Sequence, residues 1–114
     1  MTTFRNATRN VVLSDRTRIA DTMVTRMVGL LSSKGLGAGE GLWIEPCNSI
    51  HTWFMRFTID AVFLDKEGSV VKIASRMKPW KLTKIAFKAR GVLELPEGTI
   101  EKTGTQVGDR VEKA

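Results

Sequence analysis

Short β-type segments separated by turn-forming residues are the feature that most restricts how this sequence can fold. Beyond residue 40 such segments, rich in β-branched and aromatic residues, follow one another closely, which is typical of strands. They are GLWIE (41–45), HTWFM (51–55), IDAVFLD (59–65), SVVKIA (69–74) and RGVLEL (90–95). An Asp-Lys-Glu-Gly sequence at 65–68 predicts a hairpin. The connections are too short for parallel βαβ units, so the pattern predicts a mainly β fold (β-rich α+β), a small barrel or a jelly-roll-like sandwich.

The remaining segments add strands at both ends and two short helices. NVVLSDRTRIAD (10–21) predicts two short strands around the turn formers Ser14 and Asp15, and VGDRVE (107–112) predicts a last strand. From Asp21, a plausible N-cap, apolar residues recur at three- and four-residue spacing and predict a short amphipathic helix. PEGTIEKTG (96–104) predicts one or two helical turns that end at Gly104.

Chain length and cysteine content indicate the class of protein and its compartment. A chain of 114 residues is expected to form a single domain spanning 1–114. A lone cysteine excludes an internal disulfide and suits a reducing compartment. No apolar run approaches the roughly 20 residues of a membrane helix, and the N-terminal residues lack the apolar segment of an export signal. We therefore expect a soluble, cytoplasmic protein by default, although an exported protein without its export segment would have the same sequence.

The segment PCNSIHTWFMRFTID (46–60) contains the only cysteine and the only histidine, Cys47 and His51. Their four-residue spacing permits a nucleophile pair with Asp60 or Asn48 as the orienting group, although no known catalytic motif surrounds Cys47. The alternative is structural: Cys47 packs as a small apolar residue and His51 bonds a backbone carbonyl. One cysteine and one histidine leave too few ligands for zinc or iron, so neither a metal site nor a cofactor is predicted.

Two acidic residues, Asp60 and Glu94, lie inside apolar segments. A buried carboxylate costs several kcal/mol unless it is hydrogen-bonded or paired, and Arg56 is the cation nearest to Asp60 in sequence. The acids are expected to tie loops to the sheet or to line a polar cleft at the mouth of a barrel. The residues predicted to converge on a ligand there are Asn48, His51, Arg56, Asp60, Trp80 and Glu94.

The charge distribution indicates a strongly positive region. The net charge is +6, and no acidic residue occurs between Glu67 and Glu94. Aromatic residues interleaved with cations are typical of grooves for single-stranded nucleic acid, whereas solvated charge on a loop is the simpler interpretation. The candidate nucleic-acid residues are Lys72, Arg76, Lys78, Lys81, Lys84, Lys88 and Arg90.

Several motifs in a constant order resemble one known family. They are GLLSSKGL (29–36), EGLWIEPCNSIHTWFMRFTIDAVFLD (40–65), KPW (78–80), VLELPEGT (92–99) and VGDRV (107–111). Together, over about residues 11–112, they resemble the family called domain of unknown function 192. The resemblance implies a compact, mostly β domain of jelly-roll-like topology with short helices, and it implies no activity. Thr58 stands at a position where one branch of the family often has proline.

These observations favour binding over catalysis. The predicted function is a non-catalytic binding module for a small polar or anionic ligand or for a protein partner. One alternative is a basic, nucleic-acid-associated protein that uses residues 72–90. The other is an enzyme that uses Cys47, His51 and Asp60.

Overall fold

The computed structural model describes residues 2–20, 36–52 and 55–114, which form a mainly β fold as predicted. The helix predicted from Asp21 lies outside these residues. Within them, no helix has the length and apolar character needed to cross a membrane. The elements are β1 (Thr2–Asn6), β2 (Val11–Ala20), β3 (Glu40–Ile44), β4 (Ile59–Leu64), β5 (Val70–Met77), β6 (Gly91–Pro96), α1 (Thr99–Thr103) and β7 (Val111–Lys113).

The strands form one curled sheet in the order β5-β4-β6-β3-β2-β1-β7. β5 and β7 are the two ends of this order. Backbone hydrogen bonds join the start of β5 and the turn before it to the start of β7 and the residues before it. The N–H of Val70 donates to the carbonyl of Asp109 at 2.8 Å, and the N–H of Val111 donates to the carbonyl of Gly68 at 2.8 Å. The sheet is therefore bent into a half-barrel whose edge strands meet at one end.

Side chains near this junction hold β1 to the chain before β7. The buried amide of Asn6 donates to the Asp109 carboxylate at 3.0 Å, and the Arg9 Nε donates to the same oxygen at 2.6 Å. Burial raises the pKa of Asp109, but the hydrogen bonds from Arg9, Asn6 and the backbone N–H of Gln106 lower that pKa below its ordinary value. Asp109 is thus a charged acceptor that ties three chain segments together.

The predicted hairpin within residues 10–21 is wrong, because β2 is one continuous strand. Its hairpin partner is β1, which the sequence patterns do not reveal. Ser14 and Asp15 lie instead at an irregular part of β2, where the N–H groups of Asp15 and Arg16 both donate to the carbonyl of Gly39. Turn-forming residues mark an interruption of regular pairing here, not a reversal of the chain.

The expectation that no connection is long enough for parallel pairing is also wrong at one place. Strands β2 and β3 pair in parallel, with Thr17 opposite Gly41 and Ala20 opposite Ile44. The connection between them spans residues 21–39, which is long enough for the crossover that parallel strands require. The other strand pairs are antiparallel, and the hairpin predicted at 65–68 is confirmed between β4 and β5.

Two apolar clusters cover the two faces of the sheet. The inner core contains residues from all seven of the described strands and from α1: Phe4, Leu13, Trp43, Val62, Leu64, Val70, Leu93, Leu95, Ile100 and Val111. The outer core lies on the opposite face and is covered by loop residues that include Ile50, Met55, Ala86 and Ala89. Of the predicted strand at 51–55, Met55 belongs to this loop cover and His51 forms an isolated bridge to Leu82, while residues 53–54 lie outside the described residues.

Candidate functional site

The two buried strand carboxylates lie on opposite faces of the sheet. Asp60 alternates along β4 with Ile59 and Ala61, which belong to the outer core, and therefore faces the inner core. Glu94 lies directly opposite Ala61 and therefore faces the outer core. The structure thus does not bring Asp60 and Glu94 into one cleft.

Two backbone N–H groups compensate the buried charge of Asp60, whose residue is 0% exposed. The N–H of Arg76 donates to Oδ1 at 2.8 Å, and the N–H of Ile100 donates to Oδ2 at 2.7 Å. Arg76 lies in a bulge of β5 with a φ of 52°, and Ile100 lies in the first turn of α1. Asp60 therefore ties this bulge and this helix to β4. Arg56, the expected partner, is exposed.

Residues 78–90, here called the basic loop, run along the outer face of the sheet. They lie antiparallel to residues 47–52, and backbone hydrogen bonds join the two segments along their length. The bonded pairs are Cys47 with Arg90, Asn48 with Ala86, Ile50 with Thr83, and Thr52 with Lys81, at N···O distances of 2.8 to 3.0 Å. The basic loop is consequently held in one conformation although it contains no regular strand.

Thr52 is the central contact between these two segments and is 0% exposed. Its hydroxyl donates to the carbonyl of Lys78 at 2.6 Å and accepts the N–H of Lys81 at 2.9 Å. Its backbone carbonyl accepts the N–H of Trp80 at 2.9 Å. Sequence reasoning missed Thr52, because a threonine in a β-type segment looks like an ordinary strand former.

Trp80 occupies a sparsely populated backbone conformation at the tip of this turn. Its φ is 65°, in the left-handed region that bulky side chains rarely adopt. The hydrogen bond to Thr52 maintains that conformation, and the side chain is presented to solvent, with 60% of the residue exposed. Strained residues of this kind are concentrated at functional sites.

The basic loop has one face toward the sheet and one toward solvent. Ala86 and Ala89 pack against the outer core. The larger apolar residues of the loop are instead exposed: Trp80 at 60%, Leu82 at 66%, Ile85 at 52% and Phe87 at 88%. These side chains add little to the core of the fold, so their exposure needs another explanation.

Of the seven predicted nucleic-acid residues, three make contacts within the fold and four are exposed lysines. Two arginines are neutralised by ion pairs, Arg76 with Glu101 at 3.0 Å and Arg90 with Glu45 at 3.1 Å. Lys72 is half-buried, and its Nζ donates to the carbonyl of Lys84 at 3.3 Å. The other residues are exposed and form no ion pair with any residue in the described ranges: Lys78, Lys81, Lys84 and Lys88.

Each of the two ion pairs shifts the pKa of one of its members, Arg76 in the first pair and Glu45 in the second. The hydrogen bond and charge of Glu101 raise the pKa of Arg76. Burial raises the pKa of Glu45, but hydrogen bonds from Arg90 and from the Trp43 indole outweigh it and lower that pKa. Both arginines are therefore committed to structural contacts, and the accessible positive charge of this region lies in the lysines of the basic loop.

Three of the other predicted site residues border the basic loop. Asn48 is exposed and its backbone carbonyl accepts the N–H of Ala86, while His51 is exposed at the bridge to Leu82. Cys47 is half-buried against the outer core, and its Sγ donates to the carbonyl of Ser49 at 3.0 Å. Asp60 faces the inner core, so it does not complete a catalytic set with Cys47. In the part of the chain that the structure describes, no group of three or more potential metal ligands occurs.

Replacing Thr52 with valine tests whether this residue holds the basic loop. The substitution keeps the side-chain shape but leaves the Lys81 N–H and the Lys78 carbonyl without their hydroxyl partner. We expect the free energy of unfolding to fall by about 1–3 kcal/mol in a urea titration. Thr3→Val is the matched control, since the Thr3 hydroxyl bonds no other residue of the described ranges. Equal losses for the two variants would contradict this role of Thr52.

Fold and site together define a class of protein: a small, curled β-sheet domain whose outer face carries a hydrogen-bonded loop that is both basic and apolar. The chain belongs to the DUF192 family, described as Uncharacterized ACR, whose family model matches residues 4–113. The predicted family is thereby confirmed, and it is a family of unknown function.

Relatives agree with this assignment, and two solved structures share the fold. A UPF0127 protein of Pyrococcus horikoshii is 32% identical over 111 residues, which cover 93% of this chain and 94% of the relative. Another, of Thermococcus sibiricus, is 31% identical over 112 residues, covering 94% of this chain and 71% of the relative. A crystal structure of a protein of unknown function from Novosphingobium aromaticivorans has a TM-score of 0.82 at 24% identity, covering 97% of this chain and 82% of that one. A structure from Sinorhizobium meliloti has a TM-score of 0.81 at 19% identity, covering 98% and 91%. Both structural likenesses show the fold.

Proposed function

We propose that the chain is a single-domain, non-catalytic binding module and that the basic loop is its binding surface for an anionic partner. The observation that carries the proposal is the exposure of four large apolar side chains among four lysines, on a loop held by hydrogen bonds. Exposed apolar groups of this kind mark interaction surfaces, and the lysines favour a partner of negative charge. An enzyme with Cys47, His51 and Asp60 is less well supported, because Asp60 is engaged by two backbone groups on the inner face.

Three of the predicted ligand residues fit this proposal. Trp80 belongs to the basic loop, and Asn48 and His51 lie in the segment bonded to it. Asp60 and Glu94 are 0% and 2% exposed, so direct contact with a partner would require the sheet to open. We therefore assign ligand contact to the surface of the loop and give the two acids a structural role.

Reversing charge on the basic loop is expected to weaken binding to polyanions. We predict that Lys81→Glu combined with Lys84→Glu lowers affinity by about tenfold or more for oligothymidylate, polyglutamate or anionic vesicles, whichever of them the protein binds. The measurement is a salt titration of binding followed by fluorescence anisotropy or sedimentation.

The matched control is the pair Arg16→Glu and Lys102→Glu. It changes the net charge equally, on β2 and on α1, at two residues whose described contacts include none with the basic loop. A result in which both double variants lose the same affinity would mean that net charge alone governs binding and would overturn the proposal.

A further inference from the structure

We infer that the anionic partner is a lipid bilayer surface, into whose headgroup layer the exposed apolar residues of the basic loop insert. This inference rests on the proposed function and names the partner of the same surface. It depends on the kinds of side chain exposed, on where the lysines lie among them and on how firmly the loop is held.

The exposed apolar residues include two aliphatic side chains as well as two aromatic ones. Leu82 is 66% exposed and Ile85 is 52% exposed. Single-stranded nucleic acid gains binding energy by stacking bases on aromatic rings, for which leucine and isoleucine offer no flat surface. The boundary between headgroups and acyl chains accepts aliphatic and aromatic groups alike, and tryptophan is enriched there.

Lysines alternate with the apolar residues throughout the basic loop, at positions 78, 81, 84 and 88. Interfaces between proteins are depleted in lysine, particularly at their apolar centres. At an anionic bilayer, by contrast, a lysine can bury its alkyl chain while its ammonium group remains among the phosphates. Each such lysine strengthens binding by about fivefold. The absence of any acidic residue between Glu67 and Glu94 leaves this attraction unopposed along the loop sequence.

The hydrogen bonds of the basic loop present these groups before any partner arrives. Backbone bonds to residues 47–52 and the two hydroxyl contacts of Thr52 hold the loop against the outer face. Insertion would therefore need no folding of a disordered segment, which is a cost that weakens many surface interactions. Phe87, with 88% of its residue exposed, is the side chain best placed to enter first.

Vesicle binding tests the inference directly. We expect the protein to sediment with vesicles of phosphatidylcholine containing about one-third phosphatidylglycerol, and to bind phosphatidylcholine alone much more weakly. Phe87→Ser should reduce the partition coefficient by roughly tenfold or more. Val107→Ser is the matched control, because Val107 is another exposed apolar residue, at 60%, but precedes β7, outside the basic loop; this variant should bind like the unchanged protein.

Trp80→Gly separates insertion from folding. Glycine adopts the left-handed conformation of this position without strain, so the stability of the fold should be retained or raised. Vesicle binding should nevertheless fall by several-fold, because the ring is lost. Loss of binding with unchanged urea stability supports a direct contact, whereas unchanged binding overturns it.

Two further outcomes distinguish this inference from the proposed function. If the protein binds oligothymidylate or polyglutamate through Lys81 and Lys84 but ignores anionic vesicles, the bilayer is excluded and the anion-binding surface stands. If vesicle binding does not change in Phe87→Ser or in Leu82→Ser, the contact is purely electrostatic and insertion is excluded. If none of the polyanions binds, both the inference and the proposed function fail.

Discussion

Replacing Asp60 with alanine is expected to lower the free energy of unfolding by about 3–5 kcal/mol. The carboxylate is wholly buried and accepts one N–H from the β5 bulge and one from the first turn of α1. Alanine would leave both N–H groups buried without an acceptor and would open a cavity beside the inner core. The bulge is especially sensitive, because its N–H at Arg76 bonds this carboxylate in place of a strand partner.

Urea denaturation followed by circular dichroism measures this effect. Asp15→Ala is the matched control, because the Asp15 side chain is 62% exposed and its ion pair with Arg16 is solvated, so a change of less than about 1 kcal/mol is expected. Asp60→Asn retains one acceptor oxygen and should give an intermediate loss. If Asp60→Ala unfolds at the same urea concentration as Asp15→Ala, the two backbone hydrogen bonds do not stabilise the fold as described.

The second large effect is expected at Gly68, where the edges of the sheet meet. Its φ is +86°, and a Cβ added there would lie 2.4 Å from the carbonyl oxygen of Val111. Alanine must therefore adopt a left-handed conformation and also displace β7, which breaks the hydrogen bond from Val111 to Gly68. We expect Gly68→Ala to cost about 3 kcal/mol or more, from backbone strain and overpacking together.

Gly108 supplies an internal control for the conformational part of this cost. Its φ is +97°, and a Cβ added there would meet nothing within 4 Å. Gly108→Ala should thus lose only the left-handed contribution, about 1–2 kcal/mol. Thermal and urea unfolding of the two variants give the difference, which is the contribution of the close contact between the turn and β7. Equal destabilisation would show that the sheet edges do not depend on that contact.

Local sequence signals predict much of this fold. Four of the five segments between residues 41 and 95 that predict strands coincide with β3, β4, β5 and β6, and α1 ends at Gly104 as predicted. These elements depend on neighbouring residues, whose preferences are visible in the sequence. Strand β1 and the parallel pairing of β2 with β3 depend on partners far along the chain, and no local pattern encodes them.

In the candidate site, too, some features are visible in the local sequence and others depend on residues far along the chain. Composition alone indicates a positive stretch with interleaved aromatic residues, and Trp80 is found that way. It does not indicate that Arg76 and Arg90 are neutralised, since their partners Glu101 and Glu45 are distant in sequence. The placement of Asp60 and Glu94 on opposite faces follows from the alignment of β4 with β6, and so lies beyond any reading of single segments.

That alignment gives Asp60 a role in excluding wrong structures. In the native pairing Asp60 lies opposite Leu95, and Ala61 lies opposite Glu94. A slip of β4 by one residue would turn each of its side chains to the other face of the sheet. The carboxylate of Asp60 would then enter the outer core, away from both of its N–H donors, at a cost of several kcal/mol. A misaligned sheet is thus penalised by the same charge that the native sheet accommodates, so this aspartate selects among competing strand registers while the chain folds.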